Sequence, residues 1–103
     1  MILVNIDHIP GRDFEVLGLV DGSIVKARGP GGDIMASLEA FAGGEIMEYT
    51  QMLSEARQAA VEKMMNTAES MGADAIINIR YSTSAVMQNA AEIVVYGTAV
   101  KFI

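Results

Sequence analysis

The sequence predicts an α+β domain, a mainly antiparallel sheet with one short and one long helix. Three observations predict it. The run Glu45 to Met71 contains no Gly or Pro and is rich in Ala, Met, Glu, Gln and Arg, which lose little rotamer freedom in a helix. Several other stretches alternate apolar and polar residues with the period of two that a strand requires. Those stretches meet through short turn signals while the helical stretches follow one another, which separates the α part from the β part.

Taken in order, Ile2, Val4 and Ile6 alternate with Leu3, Asn5 and Asp7 as a first strand, which Pro10-Gly11 ends. Phe14 to Val20 reads as a second strand and Ser23 to Arg28 as a third, joined at Asp21-Gly22, a dipeptide that tolerates the positive φ of a tight hairpin. Gly29-Pro30-Gly31-Gly32 lacks both the Gly-Lys-Ser/Thr ending of a phosphate loop and the spacing of a dinucleotide turn, so it reads as a plain turn. Asp33 caps a short helix whose apolar face is Ile34, Met35, Leu38 and Phe41, and Gly43-Gly44 ends it.

In the long helix, Ile46, Tyr49, Leu53, Ala56, Ala60, Met64 and Met71 share one stripe at 100° per residue. Met47, Val61, Met65 and Ala68 make a second apolar strip beside it. Glu48, Glu55, Glu62 and Glu69 form an acidic ridge of side chains about 10.5 Å apart along the axis, too far for two to share a metal ion. Gly72 supplies the left-handed cap. Ala75 to Ser82 is a strand, a turn falls near Gln88-Asn89, and Glu92 to Ile103 is the longest strand. Both faces of that last strand are apolar: Val94, Tyr96, Val100 and Phe102 on one, Ile93, Val95, Ala99 and Ile103 on the other. Helices on one side of a sheet leave the other face wet, and the long helix is wider in its apolar surface than one small sheet covers. A second copy of the chain is the simplest cover.

The chain has 103 residues, enough for one domain with one modest core. Hydrophobic residues make up 51%, and mean hydropathy is +0.33. No apolar run reaches the 18 or so residues that span a bilayer. The net charge of −6 with only seven Lys and Arg argues against nucleic acid and against an anionic membrane surface, which need clustered positive charge. MILVNIDHIP has neither the basic region nor the apolar length of a signal peptide, so a cytoplasmic location is expected. Cysteine is absent, which excludes disulfides, thiolate metal sites and Cys nucleophiles.

Three short motifs then agree in order and spacing: Gly43-Gly44 with Tyr49 and Ala56-Arg57, then Gly72-Ala73-Asp74-Ala75-Ile76, then Gly97-Thr98-Ala99-Val100-Lys101. Together they resemble the YbjQ-like family, small proteins described as of unknown function or, provisionally, as heavy-metal-binding. Members often carry an acid after the Tyr, where this chain has Thr50. The resemblance covers about the last three-fifths of the chain and implies a subunit of dodecin-like topology in a homopentameric ring. It implies little about function.

The residues themselves offer thin chemistry. His8 is the one imidazole; its neighbour Asp7 falls on the opposite face of a regular strand, so a metal site there requires several copies of His8 around a ring axis. Eight Met and no Cys do not make a soft-metal centre when Met35, Met52 and Met64 sit on core stripes. Arg57 projects near the second apolar strip and calls for a carboxylate partner, in the same subunit or across an interface, with the anchoring of a ligand as the alternative. Asp74 lies at the helix-to-strand exit, where it can accept backbone N–H groups or reach Arg57 or a neighbour's Arg80. Asn78, Arg80 and Tyr81 share one strand and, with Tyr49, are the remaining candidates for a crevice between subunits. These features favour a non-enzymatic ring that binds a small ligand or metal at subunit junctions, the cofactor being undefined. The alternatives are an enzyme with a shared site using Arg57, Asp74 or Tyr81, and a purely structural assembly module.

Overall fold

A computed structural model describes residues 1–27, 46–87 and 90–103. The expected short helix over Asp33 to Phe41, the turn at Gly29-Pro30-Gly31-Gly32, the Gly43-Gly44 break and the turn at Gln88-Asn89 lie outside the described residues. Within them the elements run β1 (Ile2–Leu3), β2 (Phe14–Ala27), α1 (Ile46–Ser70), β3 (Ala75–Met87) and β4 (Ala90–Phe102). They form a mixed four-stranded sheet of order β1-β3-β4-β2. β1 runs parallel to β3, while β4 is antiparallel to both of its neighbours. β4 is therefore central, which accounts for its two apolar faces.

The first strand is shorter than its alternation suggests. Regular pairing covers Ile2 and Leu3, and residues 5–7 bend, yet the contact with β3 continues irregularly: Val4 N donates to Ile76 O at 3.0 Å and Asn78 N to Ile6 O at 2.9 Å. Asn78 sits at φ 54°, inside a register shift between Ile77 and Arg80. Asn tolerates that left-handed geometry better than most residues, and it lets β3 follow the bend. Farther on, Ile9-Pro10-Gly11-Arg12 closes with Arg12 N donating to Ile9 O at 3.1 Å, Gly11 taking φ 76°. Pro second and Gly third is the arrangement a type II turn needs. This turn folds Ile9 over Ala75, Ile77 and Val100, and Arg12 stacks on the Phe102 ring at 4.0 Å.

Asp21-Gly22 is not a hairpin. The expected second and third strands are one continuous β2, with Asp21 opposite Tyr96 and Gly22 opposite Val95 in unbroken register. Alternation persists through the dipeptide: Val20, Gly22 and Ile24 face α1, while Leu19, Asp21, Ser23 and Val25 face away. Gly22 is required for closeness rather than for turning. A Cβ there would overlap the Ala60 carbonyl and come within 2.8 Å of the Met64 amide nitrogen.

α1 lies across β2 and β4. Its fully buried positions are Ala56, Ala60, Met64 and Ala68, so Ala68 belongs to the core stripe and not to the second strip, whereas Met71 is 38% exposed. Steps of four residues advance 40° each, so this contact line winds right-handed around the helix, in the same sense as the strands beneath it twist. The side chains of Ile46, Met47 and Tyr49 lie outside the described residues. At its other end the helix closes with Gly72 at φ 82°, Gly72 N donating to Glu69 O at 3.0 Å and Ala73 N to Ala68 O at 3.1 Å. This pair of bonds is a Schellman cap, as Gly72 leads one to expect. Asp74 then pins the exit: its amide donates to Val100 O, and its Oδ2 accepts from Phe102 N, each at 2.8 Å.

Two substitutions separate these roles of glycine. Gly22→Val is expected to destabilise the fold by about 3 kcal/mol, because overpacking forces the helix off the sheet. Gly72→Ala meets no neighbour within 4 Å and is expected to cost only about 1 kcal/mol, from backbone conformation alone. Urea unfolding of the two variants beside the parent chain gives both numbers.

Candidate functional site

Because α1 sits over β2 and β4, the helix-side surface of β3 is covered at Ile76 but left open from Tyr81 onward among the described residues. Tyr81 stands opposite Val95 on that surface and is 53% exposed. Between α1 and the N-terminal segment 3–6 runs a groove of about 760 Å³. Val61 and Met64 form its helix wall, Leu3 to Ile6 the opposite wall, and Ile79, Arg80 and Tyr81 its base. Past Tyr81 and Val61 it continues into a shallower hollow of about 520 Å³ bordered by Ser54, Arg57, Gln58 and Glu62.

Of the residues singled out from sequence, Arg80 and Tyr81 border the groove, the Arg80 side chain reaching it from the β3 edge, and Arg57 borders the adjoining hollow on the other side of Tyr81. The Arg80 guanidinium is held by two carbonyls, with Nη1 donating to Asn5 O at 2.8 Å and to Ile79 O at 3.0 Å. Its Nε and Nη2 donors have no protein partner among the described residues. Arg57 has Leu53, Ser54, Ala60 and Val61 at the helical neighbour positions, so no intrahelical carboxylate can face it. Among the described residues the one side-chain ion pair is Asp7 with His8.

The other candidates lie elsewhere. Asp74 is committed to the Phe102 amide rather than to Arg57. Asn78 serves the β3 irregularity described above. Tyr49 belongs to α1, with its side chain outside the described residues. His8 and Asp7 do come together, against the expectation of opposite faces, because the chain leaves regular strand geometry after Leu3. His8 Nδ1 donates to Asp7 Oδ1 at 3.0 Å. That hydrogen bond, then the Asp7 backbone hydrogen bond and the His8 charge, holds the Asp7 carboxyl below its usual value of 3.8. A lowered carboxylate pKa favours the fold above the unfolded value and ceases to do so as pH falls through the folded one. Both side chains are well exposed, at 64% and 80%, so the effect on stability is small.

Sequence reasoning missed the groove's apolar lining of Val61, Met64 and Ile79, since nothing in the chain locates the helix sideways on the sheet. It also missed the opposite face of the sheet as a surface. There Leu19 is 83%, Val16 64%, Val25 58% and Tyr96 43% exposed. A hollow of about 450 Å³ lies among Leu19, Asp21, Val94 and Tyr96. The alternation of β2 carried that signal once Asp21-Gly22 is read as strand.

An α+β fold with one long helix on a mixed sheet, an apolar surplus and no assembled catalytic constellation among the described residues places the chain in a class of small proteins defined by fold rather than by chemistry. The chain belongs to the YbjQ-like family, whose model matches residues 1–103 and is described as "Putative heavy-metal-binding". It is 50% identical to a UPF0145 protein of Clostridium novyi across the whole of both chains. It is 52% identical to a UPF0145 protein of Thermotoga maritima over 98% of this chain and 96% of that one. A crystal structure of a protein of unknown function of the DUF74 family from Pediococcus pentosaceus shares the fold, with a TM-score of 0.66 over 100% of this chain and 98% of that one, at 17% identity. No helix among the described residues is long and apolar enough to cross a membrane.

A heavy-metal centre does not fit the residues at hand. Soft metals take thiolates and imidazoles, and this chain has no Cys and one His. Among the described residues no group of three or more His, Cys, Asp and Glu side chains converges. Asp7 and His8 supply two donors on an open surface. Protein equilibrated with excess Zn²⁺ and desalted is therefore expected to retain well below one equivalent per chain by elemental analysis, and His8→Ala to retain the same amount.

Proposed function

We propose that the chain is the subunit of a non-enzymatic homo-oligomer that holds a small ligand at its subunit junctions. The observation that carries this reading is the uncovered apolar face of the sheet. Leu19, Val94 and Tyr96 lie side by side on adjacent strands, flanked by Val16 and Val25, and no element among the described residues packs on them. Contiguous apolar surface of this kind marks an interaction site in a soluble chain. The shape of the subunit supports the same reading. Its radius of gyration is 16.6 Å, with extents of 52 × 22 × 16 Å, where a compact domain of this length has about 13 Å. The thin slab exposes more of both faces than a self-contained domain does.

Family membership favours the homopentameric ring of dodecin-like subunits as the specific assembly. In such a ring the groove beside α1 opens toward a neighbour, and the ligand lies against Arg57, Arg80 and Tyr81. The competing enzyme reading needs a carboxylate with a raised pKa in the groove. Asp74, the carboxylate named for that role, spends an oxygen on the Phe102 amide instead.

Light scattering coupled to size-exclusion chromatography tests the assembly. The parent chain is expected to elute at about five times its 11.0 kDa mass, and Leu19→Glu as a smaller species with unchanged helix content. A monomeric parent, or a Leu19→Glu variant that assembles normally, would overturn the reading that this face is an interface.

A further inference from the structure

The groove beside α1 has a feature that its apolar walls do not explain. Two of the chain's four arginines border it and its continuation, in a molecule of net charge −6 with seven basic residues in all. Arg80 is anchored through one nitrogen to two backbone carbonyls. Carbonyls orient a guanidinium without neutralising it, and the planar fork leaves Nε and Nη2 to donate. Arg57 projects from α1 one turn before Val61, with no carboxylate at a neighbouring helical position. Glu62 is the one acidic residue on the rim of the continuation, against these two cations. Between them lie Tyr81, which has an aromatic face and a hydroxyl, and an apolar lining of Leu3, Val61 and Ile79. A volume of about 760 Å³ falls in the range of sites that enclose small organic molecules, which are mostly apolar with a few fixed polar groups.

We infer that this groove binds an amphipathic anion, a small molecule whose apolar body lies on Leu3, Val61 and Ile79 and whose carboxylate or phosphate is taken by Arg80, with Arg57 adding positive charge from beyond Tyr81. The inference rests on the ligand-binding part of the proposed function and specifies the class of ligand. Apolar walls alone hold neutral and charged amphiphiles alike. The arginines discriminate, because a charge-assisted, forked pair of N–H donors matches the geometry of an oxyanion. Tyr81 separates the two cations and offers its ring to the ligand body.

The test uses the assembled protein and four probes with the same ten-carbon tail, each below its micellar concentration: decanoate, decyl phosphate, decanol and decyltrimethylammonium. Calorimetry gives affinities, and amide chemical shifts give the place of binding. Decanoate or decyl phosphate is expected to bind at least about tenfold more tightly than decanol, with shifts at Val61, Ile79, Arg80 and Tyr81; whichever of the two is tighter identifies the oxyanion. Arg80→Gln is expected to lower that affinity about tenfold and Arg57→Gln to lower it less, both leaving decanol binding unchanged. Arg80→Lys, which keeps the charge, is expected to lose less, and Arg12→Gln, remote at the Phe102 ring, to lose nothing. Equal binding of decanol and decanoate in the groove would overturn the anion while leaving ligand binding intact. Absence of all four probes from the groove, or shifts confined to Leu19, Val94 and Tyr96, would overturn the groove as a ligand site altogether.

Discussion

The backbone of β2 meets the backbone of α1 at Gly22, and the rest of the subunit is arranged by that contact. With no side chain at Gly22, and with Ala56, Ala60 and Ala68 as the facing helix positions, α1 settles close to the sheet and directly over β2 and β4. Small residues on both partners shorten the distance at which packing is complete. Lys63 adds a tie across the same seam, its Nζ donating to Ser23 O at 3.2 Å. A helix held there cannot also cover β3 at Tyr81, so the groove lined by Val61, Ile79 and Tyr81 is a direct result of where the closest approach lies.

The opposite face follows from the same geometry. One helix layer covers one side of the sheet. On the other side, the type II turn at Pro10-Gly11 brings Ile9 over Val100 and Ile77, which protects the end of the sheet nearest the N-terminus. That cover stops short of Tyr96 and Val94. What is left among the described residues is an apolar patch on a flat slab, the kind of surface that marks an interaction site. In the assembly we propose, the interface and the ligand site use different faces of one sheet, and the groove at its edge is where the two would meet in a ring.

The family description and the donor inventory point in different directions. Two donors on an exposed bend would be a weak site for any soft metal, and here Asp7 and His8 are hydrogen-bonded to one another. The groove offers organised cations instead. In the reading inferred above its chemistry is that of anion recognition, in which apolar walls lower the local dielectric and make a guanidinium contact count for more than it would in open water.

Much of this was legible in the chain. Helix propensity without Gly or Pro made α1 readable as the run Glu45 to Met71, within a residue of its observed bounds Ile46–Ser70, and Gly72 marked its end because a left-handed cap is a purely local requirement. Period-two alternation revealed β3 and β4; the two apolar faces of Glu92 to Ile103, read from sequence as calling for a second copy of the chain, also follow from the interior place of β4 in the sheet. The grouping of Arg57, Arg80 and Tyr81 was not legible, although each had been noticed separately, since they come from a helix and a strand whose lateral offset depends on packing. Asp21-Gly22 shows the limit most clearly. Its local chemistry suits a hairpin, and only the distant carbonyl of Ala60 makes it a strand. Sequence determined by itself those features whose causes lie within a few residues: propensity, capping, alternation, composition and charge. Tertiary structure alone decided the continuity of β2, the position of the helix and the existence of the groove, because each depends on close approach between segments some forty residues apart in the chain.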